Sequence, residues 1–264
     1  MLIVLSPAKR LDWSETGLQT TEPVFPRDAA RLAGHARQLT LGDLKALMGL
    51  SDDLARLNRD RFRAFTPDPD PETTRPAILA FAGDTYVGLD ARSLDSEALD
   101  WAQDHLRILS GLYGLLRPRD AIQPYRLEMG SRLKTRRGTS LYDFWGDRIA
   151  TALNEAAGAI GTDVILNCAS QEYFGAVDRK RLTVRVLTPA FLEDRDGEGR
   201  TIGLFAKRAR GAMARFVIDR RITSPEGLKE FDTMGYRFDP VASTPDTPVF
   251  RRPYGAEEAL KEAS

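Results

Sequence analysis

The sequence predicts an α/β (α+β) fold, a single domain in which a mixed central sheet is surrounded by helices. Three observations carry this expectation. Short apolar runs at Leu2–Leu5, Ala77–Phe81 and Val164–Leu166 lack polar alternation, as strands buried on both faces do. Longer segments with apolar residues at helical spacing lie between them. Residues 182–187 and 201–205 alternate like strands and are joined through a Gly-Glu-Gly turn at 197–199, which suits a hairpin.

Each element has its own justification. Leu2–Leu5 delivers Ser6-Pro7-Ala8-Lys9 to the carboxyl end of a strand, where α/β sheets keep their ligands, although Ser-Pro is also ordinary turn chemistry. Residues 28–38, 40–48 and 51–65 read as helices, the last with Leu54, Leu57, Phe62 and Phe65 on one face. The proline-rich stretch 66–72 is the best linker candidate, but the first strand needs sheet neighbours that occur only later. Residues 1–252 are therefore expected to form one domain, with 253–264 a charged tail. Residues 83–89 form a Gly-flanked turn. Residues 95–110 read as a long helix capped by Asp95 or Ser96, and residues 140–157 as another, with Phe144, Trp145 and Leu153 in its apolar stripe. Residues 206–221 read as a basic helix with Met213, Phe216, Val217 and Ile218 on its core side.

Composition narrows the function. In 264 residues, 38 basic side chains balance 38 acidic ones, so a polyanion partner has to be met by a local patch. Cys168 is the sole cysteine, which rules out an intrachain disulfide and a thiolate metal cluster. His35 and His105 are the only histidines and lie far apart, which argues against a histidine metal site; no metal and no cofactor is expected. The amino terminus lacks a basic n-region, and no apolar run approaches the roughly 20 residues of a membrane span. A cytoplasmic protein without membrane contact is expected.

Charge is sorted along the chain. Residues 105–137 carry eight Arg or Lys (107, 117, 119, 126, 132, 134, 136, 137) against Asp120 and Glu128 alone. Leu106, Leu109, Leu112 and Leu116 have near-helical spacing there, interrupted by Gly111 and Gly114 and stopped by Pro118. Bare backbone N–H groups in such a turn can grip a phosphate, so the segment suggests a helix-hairpin-helix-like element. A second basic block, residues 200–221, holds seven cations against Asp219. Capping glycines and solvated arginines would account for both blocks equally.

Among sequence motifs, no phosphate loop, no strand-linked Gly-x-Gly-x-x-Gly, no His-Glu-x-x-His and no Gly-x-Ser-x-Gly is present. Four polar clusters stand beside strand ends or helix starts instead: Ser6/Lys9, Tyr125/Arg126/Glu128, Ser170/Glu172/Tyr173 and Lys207/Arg210. If they converge, they form a basic site with two carboxylates, suited to a phosphorylated or nucleotide-like ligand.

Several ordered blocks occur together: Leu-Ser-Pro-Ala-Lys at 5–9, His-Leu-Arg-Ile-Leu-Ser-Gly-Leu-Tyr-Gly-Leu-Leu-Arg-Pro at 105–118, Gln-Pro-Tyr-Arg-Leu-Glu-Met-Gly at 123–130, Asn-x-Ala-Ser-x-Glu-Tyr-Phe at 167–174 and Ala-Lys-x-Ala-Arg-Gly at 206–211. In these the chain resembles the YaaA family of bacterial peroxide-stress-resistance proteins, over nearly its whole length. The resemblance implies a fold unlike the common superfolds, a positively charged cleft, DNA binding through a helix-hairpin-helix-like element and a role in keeping free intracellular iron low.

Three functions are therefore weighed, in this order. The first is a DNA-binding protein of the peroxide stress response. It would contact backbone phosphates, without sequence specificity, through Arg107, Ser110, Gly111, Tyr113, Gly114, Arg117, Arg126, Arg132, Lys134, Arg136, Arg137, Lys207, Arg208 and Arg210. The second is an enzyme acting on a small anionic ligand, with Lys9, Glu128, Glu172 and Tyr173 as catalytic candidates. An iron-binding protein built on carboxylates is the third.

Overall fold

The structure, a computed structural model, describes residues 1–195 and 197–256. The main sheet has five strands: β1 (Leu2–Leu5), β2 (Leu106–Ser110), β3 (Gly114–Leu116), β4 (Val164–Asn167) and β5 (Arg185–Leu187), in the order β3-β2-β1-β4-β5. β2, β1, β4 and β5 run parallel, and only β3 is antiparallel. β1 is buried along its whole length because both of its edges are paired and helices cover its faces. The chain fills one side of β1 first and then the other, so the connections part company between β1 and β4. Ligands of open α/β sheets sit beyond the carboxyl ends of the strands at such a point.

A second sheet, β7-β6-β9-β8, is built from β6 (Ala190–Arg195), β7 (Glu198–Arg200), β8 (Arg237–Thr244) and β9 (Thr247–Pro253). Its core is an aromatic cluster of Phe191, Phe231, Tyr236 and Phe250. Arg252 and Glu193 form a buried ion pair beside it at 2.8 Å. The hairpin around 197 joins β6 to β7 and not the runs 182–187 and 201–205, since Gly203 already opens a helix. Of the expected tail, Pro253 belongs to β9, and residues 257–264 lie outside the described residues.

The helices are α1 (Pro26–Arg37), α2 (Leu41–Met48), α3 (Asp52–Ala64), α4 (Ala77–Ala80), α5 (Asp84–Leu89), α6 (Ser96–His105), α7 (Leu141–Trp145), α8 (Arg148–Ala159), α9 (Gln171–Phe174) and α10 (Gly203–Arg220). Their starts are chemically marked. Thr40 and Asp43 form a capping box on α2, and Asp95 accepts the Ala98 N–H at 2.7 Å to cap α6. Gly146, at φ +52°, splits the expected helix 140–157 into α7 and α8.

Three further expectations are corrected. Asp84–Leu89, expected to be part of a turn, forms the helix α5. Ala77–Phe81 is the single helical turn α4 followed by a two-residue strand, Phe81–Ala82, paired with Arg10–Leu11; a five-residue apolar run fits either state. More consequentially, the expected long helix ends at His105. From Leu106 (φ −117°, ψ 137°) the backbone is extended, and residues 106–110 are all buried between β1 and β3. Segment 105–118 is thus a strand, a turn and a strand, not a helix-hairpin-helix-like element. The helical spacing of its leucines is coincidental, because a strand buried on both faces is apolar at nearly every position.

Candidate functional site

The parallel strands deliver Ser6, Ser110 and Ser170 to one edge of the main sheet. Ser6 Oγ accepts the Ser170 N–H at 2.8 Å, and the two hydroxyls lie 3.3 Å apart, tying the ends of β1 and β4 together at the point where the connections part. Ser170 also caps α9 by accepting the Tyr173 N–H. Ser110 Oγ is 2.6 Å from the Tyr125 hydroxyl and accepts the Tyr113 N–H at 2.8 Å. Tyr86, on α5, donates to the Ser6 carbonyl at 3.1 Å.

Lys9 and the loop 123–130 meet above this edge. Glu128 Oε1 lies 3.0 Å from Arg126 Nε and 3.4 Å from Lys9 Nζ. Glu128 Oε2 is buried and accepts no hydrogen bond from the described residues. The loop is held down by Glu172, whose Oε1 accepts the Gly130 N–H at 3.0 Å. Burial pushes the Tyr86, Tyr125 and Tyr173 phenols well above their ordinary range. Tyr125 and Tyr173 add to the rise at Tyr86, and Glu128 adds to it at Tyr125 and Tyr173. The four groups therefore share one environment, and the phenols stay protonated there as hydrogen-bond donors.

α10 approaches the same edge through a close crossing with α5. A Cβ on Gly88 would stand 2.0 Å from the Arg208 carbonyl oxygen, and one on Gly211 1.8 Å from that of Thr85, so only glycine fits at either position. The crossing brings Arg208 to within 3.7 Å of Asp84 and sets Arg210 beside Cys168, at the end of β4. Lys207 is exposed. Burial pushes the Cys168 thiol up to about 12, and the Arg210 charge opposes that rise; burial in turn lowers Arg210. The clusters Ser6/Lys9, Tyr125/Arg126/Glu128 and Ser170/Glu172/Tyr173 are thus brought together, with Arg210 alongside. Tyr86 is a member that the sequence does not single out; its only signal is the Gly-flanked Asp84-Thr85-Tyr86.

The residues expected to grip DNA are dispersed. Ser110, Gly111, Tyr113 and Gly114 are buried. Gly111 packs on the Leu127 carbonyl, and Gly114 (φ +70°) lies against the Trp145 ring, whose Nε1 donates to the Gly111 carbonyl at 3.1 Å. Arg107 is 8% exposed and donates to the Gln103 and Leu106 carbonyls; burial pulls its pKa down to about 10, and the Arg117 charge adds to this. Arg117 is engaged by buried Asp120 at 3.0 Å. Arg137 is half-buried, with its guanidinium 4.6 Å from the Phe144 ring centroid. Arg132, Lys134 and Arg136 project into solvent.

The family model described as peroxide stress protein YaaA matches residues 1–242. The chain belongs to the YaaA family of peroxide stress proteins. It is similar to UPF0246 proteins of Ruegeria pomeroyi (68% identical, covering 96% of this chain and 99% of the relative) and Roseobacter denitrificans (67%, covering 97% and 100%). Another from Caulobacter vibrioides is 56% identical over 96% of this chain and 99% of its own. The YaaA family match spans every residue of the Glu128 site. Among the described residues, no group of three or more His, Cys, Asp and Glu comes together to hold a metal ion, and no helix is long and apolar enough to cross a membrane.

Proposed function

We propose that the chain serves the peroxide stress response in the cytoplasm by binding and transforming a phosphorylated, nucleotide-like small molecule at the carboxyl edge of the main sheet. The observation that carries this is Glu128, whose one oxygen is shared by Arg126 and Lys9 while the other is buried without a hydrogen-bond partner among the described residues. A buried carboxylate oxygen without a donor costs roughly 1–3 kcal/mol unless a ligand N–H or O–H meets it. Glu128 is the acid/base, because it faces donors that stay protonated and is the carboxylate left with an open oxygen. Lys9, Arg210 and Lys207 receive the anionic end, and Tyr173 donates a hydrogen bond. Glu172 acts through Glu128, as a positioning residue. Iron is lowered through the turnover of this ligand and not by binding iron.

Thermal unfolding against a panel of nucleoside phosphates and sugar phosphates tests the proposal. One class is expected to raise the Tm of the wild-type chain and to leave Glu128→Gln unmoved; stabilisation by none of them, or equal stabilisation of both proteins, counts against it.

Nonspecific DNA binding is the second reading. It is favoured by Arg132, Lys134, Arg136 and Lys207, which are exposed and form no ion pair among the described residues. Four such contacts give a slope of log affinity against log salt of about −3 to −4. A flat salt response would remove it.

A further inference from the structure

The charge around Asp28, on the first turn of α1, does not balance. Its carboxylate, 13% exposed, receives Arg137 Nη1 at 2.9 Å, Arg31 Nη1 at 3.3 Å and Arg148 Nε at 3.8 Å. One negative charge among three guanidinium groups leaves two positive charges over. Arg148 spends its Nη1 on the carbonyls of Phe144 and Trp145. Arg137 Nη1 is buried and, close as it is to Asp28, makes no aligned hydrogen bond. The excess is shared by Arg31, Arg137 and Arg148, and exposed Arg136 adds one more positive charge.

These cations border a cavity of about 500 Å³, lined by Arg31, His35, Gln38, Arg136, Arg137 and Phe144, with no acidic side chain in its wall. The cavity is built and not merely open surface. Arg137 is fixed against the Phe144 ring, and the loop carrying Arg136 and Arg137 is closed by the Thr135 N–H donating to the Gly138 carbonyl at 2.9 Å. Gly34, on the α1 wall, would meet nothing with an added Cβ, so the space there is vacant.

We propose that this cavity binds the phosphate monoester of a small molecule. A dianion offsets most of this excess positive charge, and planar guanidinium forks suit phosphate oxygens bidentately. The volume lies in the range that encloses a metabolite-sized ligand, with Phe144 and Gln38 to meet its uncharged part. The site shares no residue with the Glu128 cluster.

The test is calorimetric titration of AMP, phenyl phosphate and adenosine into the full chain carrying Lys9→Ala and Glu128→Gln, which silences the sheet-edge site and keeps the two proposals apart. AMP and phenyl phosphate are expected to bind one per chain, and adenosine to be silent. Adding Arg31→Ala and Arg136→Ala, both exposed side chains whose loss spares the core, is expected to weaken AMP at least tenfold. Absence of phosphate-monoester binding, or unchanged affinity in the doubly substituted cavity, overturns the proposal.

Discussion

The Glu172 carboxylate accepts the Gly130 N–H at 3.0 Å and thereby fixes the loop that carries Glu128 over the ends of β1 and β4. Two acids that look interchangeable in sequence thus have separate tasks. Glu172→Ala should loosen residues 126–130 and reduce activity, with a stability loss of only about 0.5–1.5 kcal/mol. Glu172→Gln, which keeps an acceptor oxygen, should retain most of the activity. Amide exchange at Gly130 checks this, since it accelerates in the alanine variant alone.

The lone thiol is not expected to sense peroxide. Cys168 is 1% exposed and burial pushes it up to about 12, so the reactive thiolate is essentially absent at neutral pH. Mass spectrometry after peroxide treatment should find Cys168 unoxidised in the native chain and oxidised once the chain is unfolded. Cys168→Ala should still protect cells.

The turn 111–114 is architectural. Gly111→Ala would drive a methyl to 2.2 Å from the Leu127 carbonyl oxygen, and Gly114→Ala would both meet the Trp145 ring and strain a φ of +70°. Each should cost about 3 kcal/mol in urea unfolding, by forcing an overpacked backbone to move. Arg132→Ala, in contrast, should leave stability within about 0.5 kcal/mol.

His105 gives the fold a mild acid sensitivity. Its ring stacks on Trp101 at 3.8 Å, and burial lowers its pKa below 6.5. Protonation is then easier in the unfolded chain than in the folded one. The stabilisation is present above the unfolded value of 6.5 and is lost as the pH falls through it towards the lower folded value. The Tm should drop as the pH falls below about 6.5 in the wild type, and less in His105→Gln.

Much of this was readable from the residues. Leu2–Leu5 and Val164–Leu166 are strands because nothing polar interrupts them, and their polar ends, Ser6–Lys9 and Asn167–Tyr173, do meet as neighbouring strand ends must. Leu106–Ser110 misleads for a physical reason: a strand buried on both faces has no period, so its leucines match helical spacing as well as any other. Part of the basic run is less available than its charge suggests, because sequence records charge and not its partner. Arg107 and Arg117 are absorbed by backbone carbonyls and by Asp120, and Arg137 lies half-buried over the Phe144 ring. Tyr86 is signalled only by its Gly-flanked setting, since the tertiary crossing of α5 and α10 at Gly88 and Gly211 sets it beside Ser6.

Survival under peroxide decides most directly whether function resides at the sheet edge. Cells lacking the protein would be given the wild-type chain, Glu128→Gln, or the Arg132/Lys134/Arg136→Ala variant, with folding verified for each. Loss of protection with Glu128→Gln and retention with the triple variant is the expected result. Full protection by Glu128→Gln together with failure of the triple variant would contradict it and return the function to the charged surface.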